Sequence, residues 1–212
     1  ESQSNLKLDQ YCTERFYQPL GMRRTCFNPR NAIPLKEIVP SEKDNYFRNQ
    51  VIKGYVHDMG AAMLGGVSGH AGLFSSSYDL GILMQMLLNG GYYGGESYFK
   101  PKTVIEFTTR YPASTRRGIG FDMKELDESK YENVSPLASA STFGHLGFTG
   151  TCAFADPENE LVYVLLSNRT YPTMENNAFG RKNFRPRIQS VIYNSITPTK
   201  IFIHQGAELD AL

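Results

Sequence analysis

The sequence has no tryptophan, only three cysteines and four histidines, and no excess of either charge. Its 22 basic and 21 acidic residues give a formal net charge of +1, which offers no electrostatic basis for binding nucleic acid or an anionic membrane surface. No apolar run approaches the roughly 20 residues that span a bilayer, and no signal peptide opens the chain. We therefore expect no nucleic-acid partner and no membrane span.

Cysteine and histidine usage gives no sign of a metal site. The cysteines are Cys12, Cys26 and Cys152. They lack metal-type spacing, and the first two could pair only if the fold brought them together, so we predict structural thiols. His57, followed by Asp58, stands 13 residues before His70, and no third strong ligand follows at close spacing. We expect no metal and no cofactor.

The chain is long enough for one sizeable core. With 212 residues, 41% of them hydrophobic and 20% charged, it is typical of a globular protein, and we predict a single domain over residues 1–212. The chain opens on the polar segment "ESQSNLKLDQ" without a methionine. We expect it to belong to a longer protein whose upstream part carries any targeting signal.

Helical patterns dominate the first half of the sequence. Apolar spacing predicts an amphipathic helix over residues 8–17, and the next 35 residues, interrupted by prolines, predict a long ordered loop. Ser76 is a good N-cap, with Asp79 placed to satisfy further amides of the first turn. The predicted buried face of this second helix consists of Leu80, Leu83, Met84, Leu87 and Leu88. A third helix begins at Pro101 and is predicted to bury Val104, Ile105 and Phe107.

The second half is predicted to be mainly β. The runs "RGIGFDM", "STFGHLG", "GTCAFADP" and "ELVYVLLSN" indicate strands, and a turn at residues 156–159 joins the last two as a hairpin. A closing helix is predicted to bury Ile188, Val191, Ile192 and Ile196, and the basic segment 181–187 is predicted to be a solvated helix face. This order of elements indicates an α+β fold in which an antiparallel sheet is flanked by helices.

Two glycine-rich segments are the candidate walls of a site. One contains His57 and His70 and the other His145, and glycine beside a polar side chain lets a ligand approach the backbone closely. The alternative is that the glycines only permit turns and the histidines bond backbone groups. Ser68, a histidine and Asp58 could form a catalytic triad, but "GGVSGH" lacks the second glycine of a nucleophile elbow and no strand is predicted before it.

Four blocks of the sequence carry a resemblance to one family. "LDQYCTERFYQPLGM", "GHAGLFSSSYDLGILMQMLLNGG", "RRGIGFDM" and "FGHLGFTGT" are similar, in the same order, to the later portion of the serine β-lactamase-like hydrolases, which include penicillin-binding proteins and related esterases. The resemblance covers residues 8–196 and leaves 197–212 as a tail. It implies a partial serine β-lactamase-like, or transpeptidase-like, fold.

The family also implies roles for the run "FGHLGFTGT". Its members use a Ser-x-x-Lys pair, a Tyr-x-Asn or Ser-x-Asn element and a Lys-Thr-Gly or His-x-Gly strand, and residues 145–147 match the third. By this resemblance His145 points into the cleft, and the amide of Phe148 donates to the oxyanion that forms when a carbonyl is attacked. Gly147 would leave room for substrate, and Leu146, which replaces Thr or Ser, disfavours β-lactam turnover. The residues assigned to substrate binding are Leu146, Gly147, Thr149, His57, Asp58 and His70. The alternative for His145 is a structural strand histidine.

The first two family elements are not found in their expected places. Residues 4–7 and 97–100 fit Ser-x-x-Lys, as chance alone would produce, and residues 131–133 fit Tyr-x-Asn but follow the helices they should precede. In the family both elements come before the block that aligns with residues 8–22. We therefore expect the chain to be the C-terminal part of a domain whose nucleophile, activating lysine and tyrosine lie upstream.

The resemblance implies a function at the bacterial cell envelope. We expect a cleft-forming part of a serine hydrolase that acts by acyl transfer on an ester, amide or cell-wall peptide bond and is inactive by itself. Its partners would be a small-molecule or peptide substrate and either the N-terminal part of the domain or another copy, covering apolar surface. The expected location is periplasmic, secreted or envelope-associated. The alternative is a noncatalytic module that binds cell-wall peptide or glycan.

Overall fold

The computed structural model describes residues 1–112, 116–127, 129–130 and 132–196. The α-helices are α1 (Leu8–Cys12), α2 (Met59–Met63), α3 (Ser77–Leu88), α4 (Pro101–Thr108), α5 (Ala178–Arg181) and α6 (Phe184–Ile196). A π-helical turn, Thr13–Tyr17, continues α1, so the helix predicted over 8–17 is present, and short 3-10 helices lie at Pro29–Asn31 and Leu35–Glu37. The strands are β1 (Cys26–Phe27), β2 (Pro40–Asp44), β3 (Gln50–Lys53), β4 (Leu73–Phe74), β5 (Tyr92–Tyr93), β6 (Glu96–Ser97), β7 (Asp122–Met123), β8 (Phe143–Leu146), β9 (Cys152–Asp156) and β10 (Leu161–Leu165). In this part of the chain, no helix is long and apolar enough to cross a bilayer.

A four-stranded antiparallel sheet in the order β10-β9-β8-β7 forms the centre of the fold. Adjacent residues of β9 face opposite sides, because side chains alternate along a strand. Phe154 packs with Tyr193 of α6, whereas Ala155 packs with Met84 of α3. The sheet therefore lies between α3 and α6, and the predicted α+β class, an antiparallel sheet flanked by helices, is confirmed.

The two edges of this sheet are incomplete among the described residues. β7 pairs only Asp122 with Gly144 and Met123 with Phe143, so the second half of this edge of β8 has no strand beside it. At the other edge, β10 pairs only with β9. The hairpin predicted at residues 156–159 is confirmed, since β9 and β10 are antiparallel neighbours.

The N-terminus of α3 confirms one predicted contact and corrects another. The Ser76 hydroxyl accepts a hydrogen bond from the Asp79 amide at 3.2 Å, which makes it the N-cap. The prediction that the Asp79 carboxylate serves the first turn is wrong, because its Oδ2 accepts from the Arg24 amide at 2.7 Å and the Thr25 hydroxyl at 2.8 Å. The side chain thus ties the helix to the preceding loop.

Burial around α3 differs from the predicted single apolar face. Ile82 and Met86 pack with Tyr17 and Leu20 near the N-terminal helix, while Met84 packs against the sheet. Because α3 is enclosed by two layers, residues on both of its sides are buried.

The faces of the later helices were also predicted only in part. α4 begins at Pro101 and buries Val104 as predicted, but Ile105 is 62% exposed and Phe107 is also exposed. On α6 the buried positions are Arg185, Pro186, Gln189 and Tyr193, whereas three of the four predicted aliphatic residues, Ile188, Val191 and Ile196, are exposed. Ile192 packs partly buried against the core. The prediction that the basic segment is a solvated helix face is therefore wrong at Arg185, which is buried.

The segment predicted as one long loop contains the hairpin β2–β3. Asp44 ends β2 and accepts hydrogen bonds from the amides of Tyr46, Phe47 and Arg48, which close the turn to β3. The amide of Lys43 donates to the carbonyl of Pro172 at 2.9 Å, which fixes the hairpin to the segment after β10. All three cysteines are free thiols, as predicted.

Candidate active site

The run "FGHLGFTGT" forms the end of β8 and a tight turn into β9. The Gly147 amide donates to the Thr151 carbonyl at 2.8 Å, and the Gly150 amide donates to the Gly147 carbonyl at 3.1 Å. Gly150 has a φ of +116°, which favours glycine, and a Cβ there would lie 2.6 Å from the Ser167 hydroxyl. A Cβ on Gly147 would collide with the Thr151 side chain. Both glycines are therefore required by the packing of the turn itself.

His145 is exposed near the end of β8, on the wall of a cleft. Its Nδ1 lies 2.8 Å from the carbonyl oxygen of Leu146. A carbonyl can only accept, so in the neutral ring Nδ1 carries the proton and Nε2 keeps a lone pair. The neighbouring Leu146 lines the same cleft and is half-buried against the core cluster on the α6 side.

The peptide bond between Gly147 and Phe148 is held by Arg185 from α6. The Arg185 Nη2 donates to the Gly147 carbonyl at 2.8 Å, and its Nε donates to the Gly150 carbonyl at 3.1 Å. In a trans peptide the N–H points opposite to the C=O, so this contact also directs the Phe148 amide. No described residue accepts a hydrogen bond from that amide, and Phe148 is 62% exposed. The amide of the predicted oxyanion donor therefore has no hydrogen-bond partner among the described residues.

The Phe148 ring contacts two side chains from different segments. The His57 ring stacks on it with centroids 5.5 Å apart and planes at 29°. The Arg169 guanidinium lies 4.4 Å from its centroid, and Nε of Arg169 donates to the Phe148 carbonyl at 2.7 Å. The Arg169 amide also donates to the Thr149 carbonyl at 2.8 Å. The fold thus brings His57, from the first glycine-rich segment, to the turn that holds Phe148 and Thr149.

His57 is held in place by the β2–β3 hairpin. Its Nε2 lies 2.9 Å from Oε2 of Glu42, a buried carboxylate that also accepts from the Tyr46 hydroxyl and the Met174 amide. Arg48 donates to the His57 carbonyl at 2.8 Å, and Asp44 anchors Arg48 at 3.1 Å. This support was missed from the sequence because the hairpin was predicted to be a loop.

The hydrogen bonds of Asp44 also change its acidity. Burial alone would raise its pKa, but hydrogen bonds from the Phe47 amide and the Arg48 side chain, together with those of the neighbouring amides, lower the pKa to about 2. Asp44 therefore remains a carboxylate, and thus a partner for Arg48, throughout the neutral range.

Asp58, His70 and Ser68 form a hydrogen-bonded chain. Nε2 of His70 lies 2.9 Å from Oδ1 of Asp58, and Nδ1 lies 2.7 Å from the Ser68 hydroxyl. The Asp58 oxygen also accepts from the Ala61 amide at 2.7 Å, as the N-cap of α2. This amide, and then His70, lower the pKa of Asp58. The three residues required for a triad are thus together, but His70 and Asp58 are about half exposed and none of the three lines the cleft described here.

The cleft beside His145 has a volume of about 730 Å³ and a strongly basic lining. Its described lining residues are Arg116, Arg117, Asp122, His145, Leu146, Gly147, Phe148, Arg169, Asn177, Gly180, Arg181, Asn183 and Arg185. Arg116 and Arg117 both pair with Asp122, which is almost completely buried. Sequence analysis found only the His145–Phe148 side of this cleft, since the arginines come from three separate parts of the chain.

Neither described Ser-x-x-Lys match forms a serine–lysine pair. Ser4 bonds only backbone or near neighbours, and the Ser97 hydroxyl donates to the Phe99 carbonyl at 3.4 Å. The out-of-order Tyr-x-Asn match begins at Tyr131, which lies outside the described residues, as does the 197–212 tail. The buried Asn133 of that match donates to the Met123 carbonyl at 2.9 Å.

The fold and the His-x-Gly edge place the chain among the serine β-lactamase-like hydrolases. The Beta-lactamase family model matches residues 2–182, and the chain belongs to that family. Over 188 residues it is 39% identical to a protein of Salmonella paratyphi B with the provisional name D-alanyl-D-alanine carboxypeptidase, covering 83% of this chain and 43% of the relative. A Salmonella newport protein of the same name gives the same figures. The chain spans less than half the length of these relatives.

Solved structures show the same fold. A β-lactamase from Mycobacterium bovis aligns with a TM-score of 0.61 and 19% identity, over 92% of this chain and 59% of its own. A penicillin-binding protein homologue from Caulobacter crescentus gives a TM-score of 0.52 and 22% identity, over 77% and 47%. The hydrolase EstCE1, described as having promiscuous acyltransferase activity, gives 0.52 and 19%, over 88% and 50%. The predicted partial transpeptidase-like fold and the family are therefore confirmed.

Proposed function

We propose that this chain forms one wall of the substrate cleft of a serine acyl hydrolase, which acts on an ester, an amide or a cell-wall peptide bond. The observation that carries the proposal is the amide of Phe148, which directly follows His145-Leu146-Gly147 at the cleft and donates to no described residue. A preorganised amide of this kind stabilises the negative charge that forms on an attacked carbonyl oxygen. In this proposal His145 faces the acyl or leaving group through its Nε2.

The nucleophilic serine and its activating lysine would come from residues outside these 212. This is supported by the greater length of the relatives and by the absence of a serine–lysine contact in either described Ser-x-x-Lys match. The rest of the same domain, or a second copy of this chain, would then cover the open edge of β10. The chain alone would not catalyse hydrolysis.

A bacterial envelope location and a peptide substrate follow as further proposals. They are supported by the provisional name of the Salmonella relatives, which refers to a D-alanyl-D-alanine bond. Leu146 offers no hydroxyl to a substrate carboxylate, so we expect weaker turnover of β-lactams than of esters or peptides. Substrate contacts are proposed for Gly147 and Thr149 on one wall, and for the segment that carries His57, Asp58 and His70 on the other.

The test compares this chain with a form extended upstream to the length of the Salmonella relatives. Both are assayed with a chromogenic ester, a β-lactam and a D-alanyl-D-alanine peptide. We expect hydrolysis only by the extended form, and Ser68→Ala should slow it without abolishing it, because Ser68 bonds His70 but would not be the nucleophile. Equal hydrolysis by the short chain, abolished by Ser68→Ala, would instead assign the reaction to the Asp58–His70–Ser68 chain.

A second candidate is a noncatalytic module that binds cell-wall peptide or glycan. The basic lining of the cleft favours it, since charge of one sign attracts and retains an oppositely charged ligand without any reaction. The extended sequence discriminates between the two candidates. A Ser-x-x-Lys and a Tyr-x-Asn element at family spacing before residue 8 supports the hydrolase, and absence of both supports the binding module.

A further inference from the structure

The cleft concentrates positive charge far beyond the average of the chain. Its described lining contains five arginines and one aspartate, a formal net charge of +4, whereas the whole chain carries +1. Asp122 is the one carboxylate among the described lining residues, and both Arg116 and Arg117 pair with it. Three further arginines line the cleft with no carboxylate among its described lining residues to offset them. A low-dielectric cleft with one sign of charge attracts and retains ligands of the opposite sign.

Two of these three arginines, Arg169 and Arg185, are close enough to repel each other. Burial, and next the positive charge of Arg185, lower the pKa of Arg169. Arg185 is itself 8% exposed and donates only to the carbonyls of the β8–β9 turn. The side chain of Arg181 is exposed and donates to no described residue. An anion bound between these groups would relieve the repulsion, and Arg181 is free to contact it.

The shape of the site points to an extended peptide rather than a compact anion. β7 pairs with only the first two residues of β8, so the edge at His145 and Leu146 is open among the described residues. An open strand edge binds extended peptides through backbone hydrogen bonds. Arg116 and Arg117 precede β7 and pair with Asp122, which lies opposite Gly144 on β8. Arg169 and Arg185 donate to carbonyls of the turn that follows β8.

We propose that the cleft selects acidic peptides that carry at least two carboxylates, one for each group of arginines. The inference rests on the proposed function, because it takes this cleft to be the substrate cleft. It goes beyond that function because it names the chemistry of the ligand. A peptide with only its C-terminal carboxylate would leave most of the positive charge of the cleft uncompensated. Arg181 and Arg117 act as selectivity residues that contact the ligand, while Arg185 and Arg169 also hold the turn.

The test is isothermal titration of the 212-residue chain with two peptides of equal length. N-acetyl-Glu-Glu-Ala has three carboxylates and N-acetyl-Gln-Gln-Ala has one. We expect the triacid to bind at least about tenfold more tightly, with an affinity that falls as salt rises. The variant Arg181→Gln should weaken its binding by about three- to tenfold. The control is Arg23→Gln, since Arg23 is exposed and lies outside the cleft, and it should leave the affinity unchanged.

Three outcomes would overturn the inference. These are equal affinities for the two peptides, no binding of either, or equal losses in the Arg181→Gln and Arg23→Gln variants, which would indicate nonspecific attraction to net charge. The measurement needs no hydrolysis, so it can fail while the extended form remains an active hydrolase. Conversely, selective binding of the triacid with no hydrolysis by the extended form would support the acidic ligand and contradict the catalytic proposal.

Discussion

Arg185 joins the wall of the cleft to the closing helix. Its side chain reaches from α6 and donates to the carbonyls of Gly147 and Gly150. These two hydrogen bonds hold the turn that contains the Phe148 amide. The sequence predicted His145 and Phe148 through a family motif, but it placed Arg185 on a solvated face. A weak signal was present, because Arg185, Gln189 and Tyr193 recur at helical spacing, and all three are buried.

Replacing Arg185 tests this link between the helix and the turn. Arg185→Met keeps a similar length but removes both charged hydrogen bonds, so we expect the free energy of unfolding to fall by about 2–4 kcal/mol. Arg187→Met is the matched control on the same helix, where the side chain is exposed, and should change stability by less than about 0.5 kcal/mol. Urea unfolding measures both variants. Equal effects would mean that Arg185 does not support the turn.

Asp156 gives the fold an expected dependence on acid. Burial alone would raise its pKa, but hydrogen bonds from the Ser139 and Tyr193 side chains, with others, outweigh this and lower the pKa to about 2 from the usual 3.8. Because the folded-state pKa is depressed, the ionised group stabilises the protein above about pH 4, and this contribution is lost as pH falls toward 2. Asp156→Asn should lower stability at pH 7 and flatten the loss between pH 4 and 2 in thermal unfolding. An unchanged slope would contradict the assignment.

At the scale of elements, strands were easier to predict than helix faces. Alternating runs bounded by glycine and proline located β8, β9 and β10, because a strand pattern repeats every two residues and turn residues mark its ends. Helix faces failed where polar side chains were buried by tertiary contacts, as at Asp79 and Gln189, which local periodicity does not record. The β2–β3 hairpin was missed because its charged residues are buried in a network with later segments of the chain.

The position of α3 between two layers leads to a test of core packing. Met86 is 0% exposed, so Met86→Ala should lower the free energy of unfolding by about 2–4 kcal/mol through the cavity it leaves. Ile105 on α4 is 62% exposed, and Ile105→Ala should cost less than about 0.5 kcal/mol although the sequence predicted it to be buried. Urea unfolding of both variants measures these two changes in the free energy of unfolding. A larger loss for Ile105→Ala would contradict the described packing.

At the scale of the whole molecule, the near-neutral composition conceals a basic cleft. The net charge of +1 gives no reason to expect a general affinity for polyanions, and it could not show that arginines from three parts of the chain meet around one site. The family and the partial fold were predictable because the motif blocks occur in order along the chain. The contacts of His57 with Phe148 were not, because they depend on how distant segments pack.

The central claim is that the Phe148 amide donates to the oxyanion of the reaction. The most direct measurement is kcat/KM of the extended form, for the ester that it hydrolyses best, with Phe148→Pro and Phe148→Ala compared. Proline removes the N–H and alanine keeps it, so we expect a loss of about a hundredfold or more for Phe148→Pro and much less for Phe148→Ala, with both variants folded by circular dichroism. Equal rates for the two folded variants would contradict the claim.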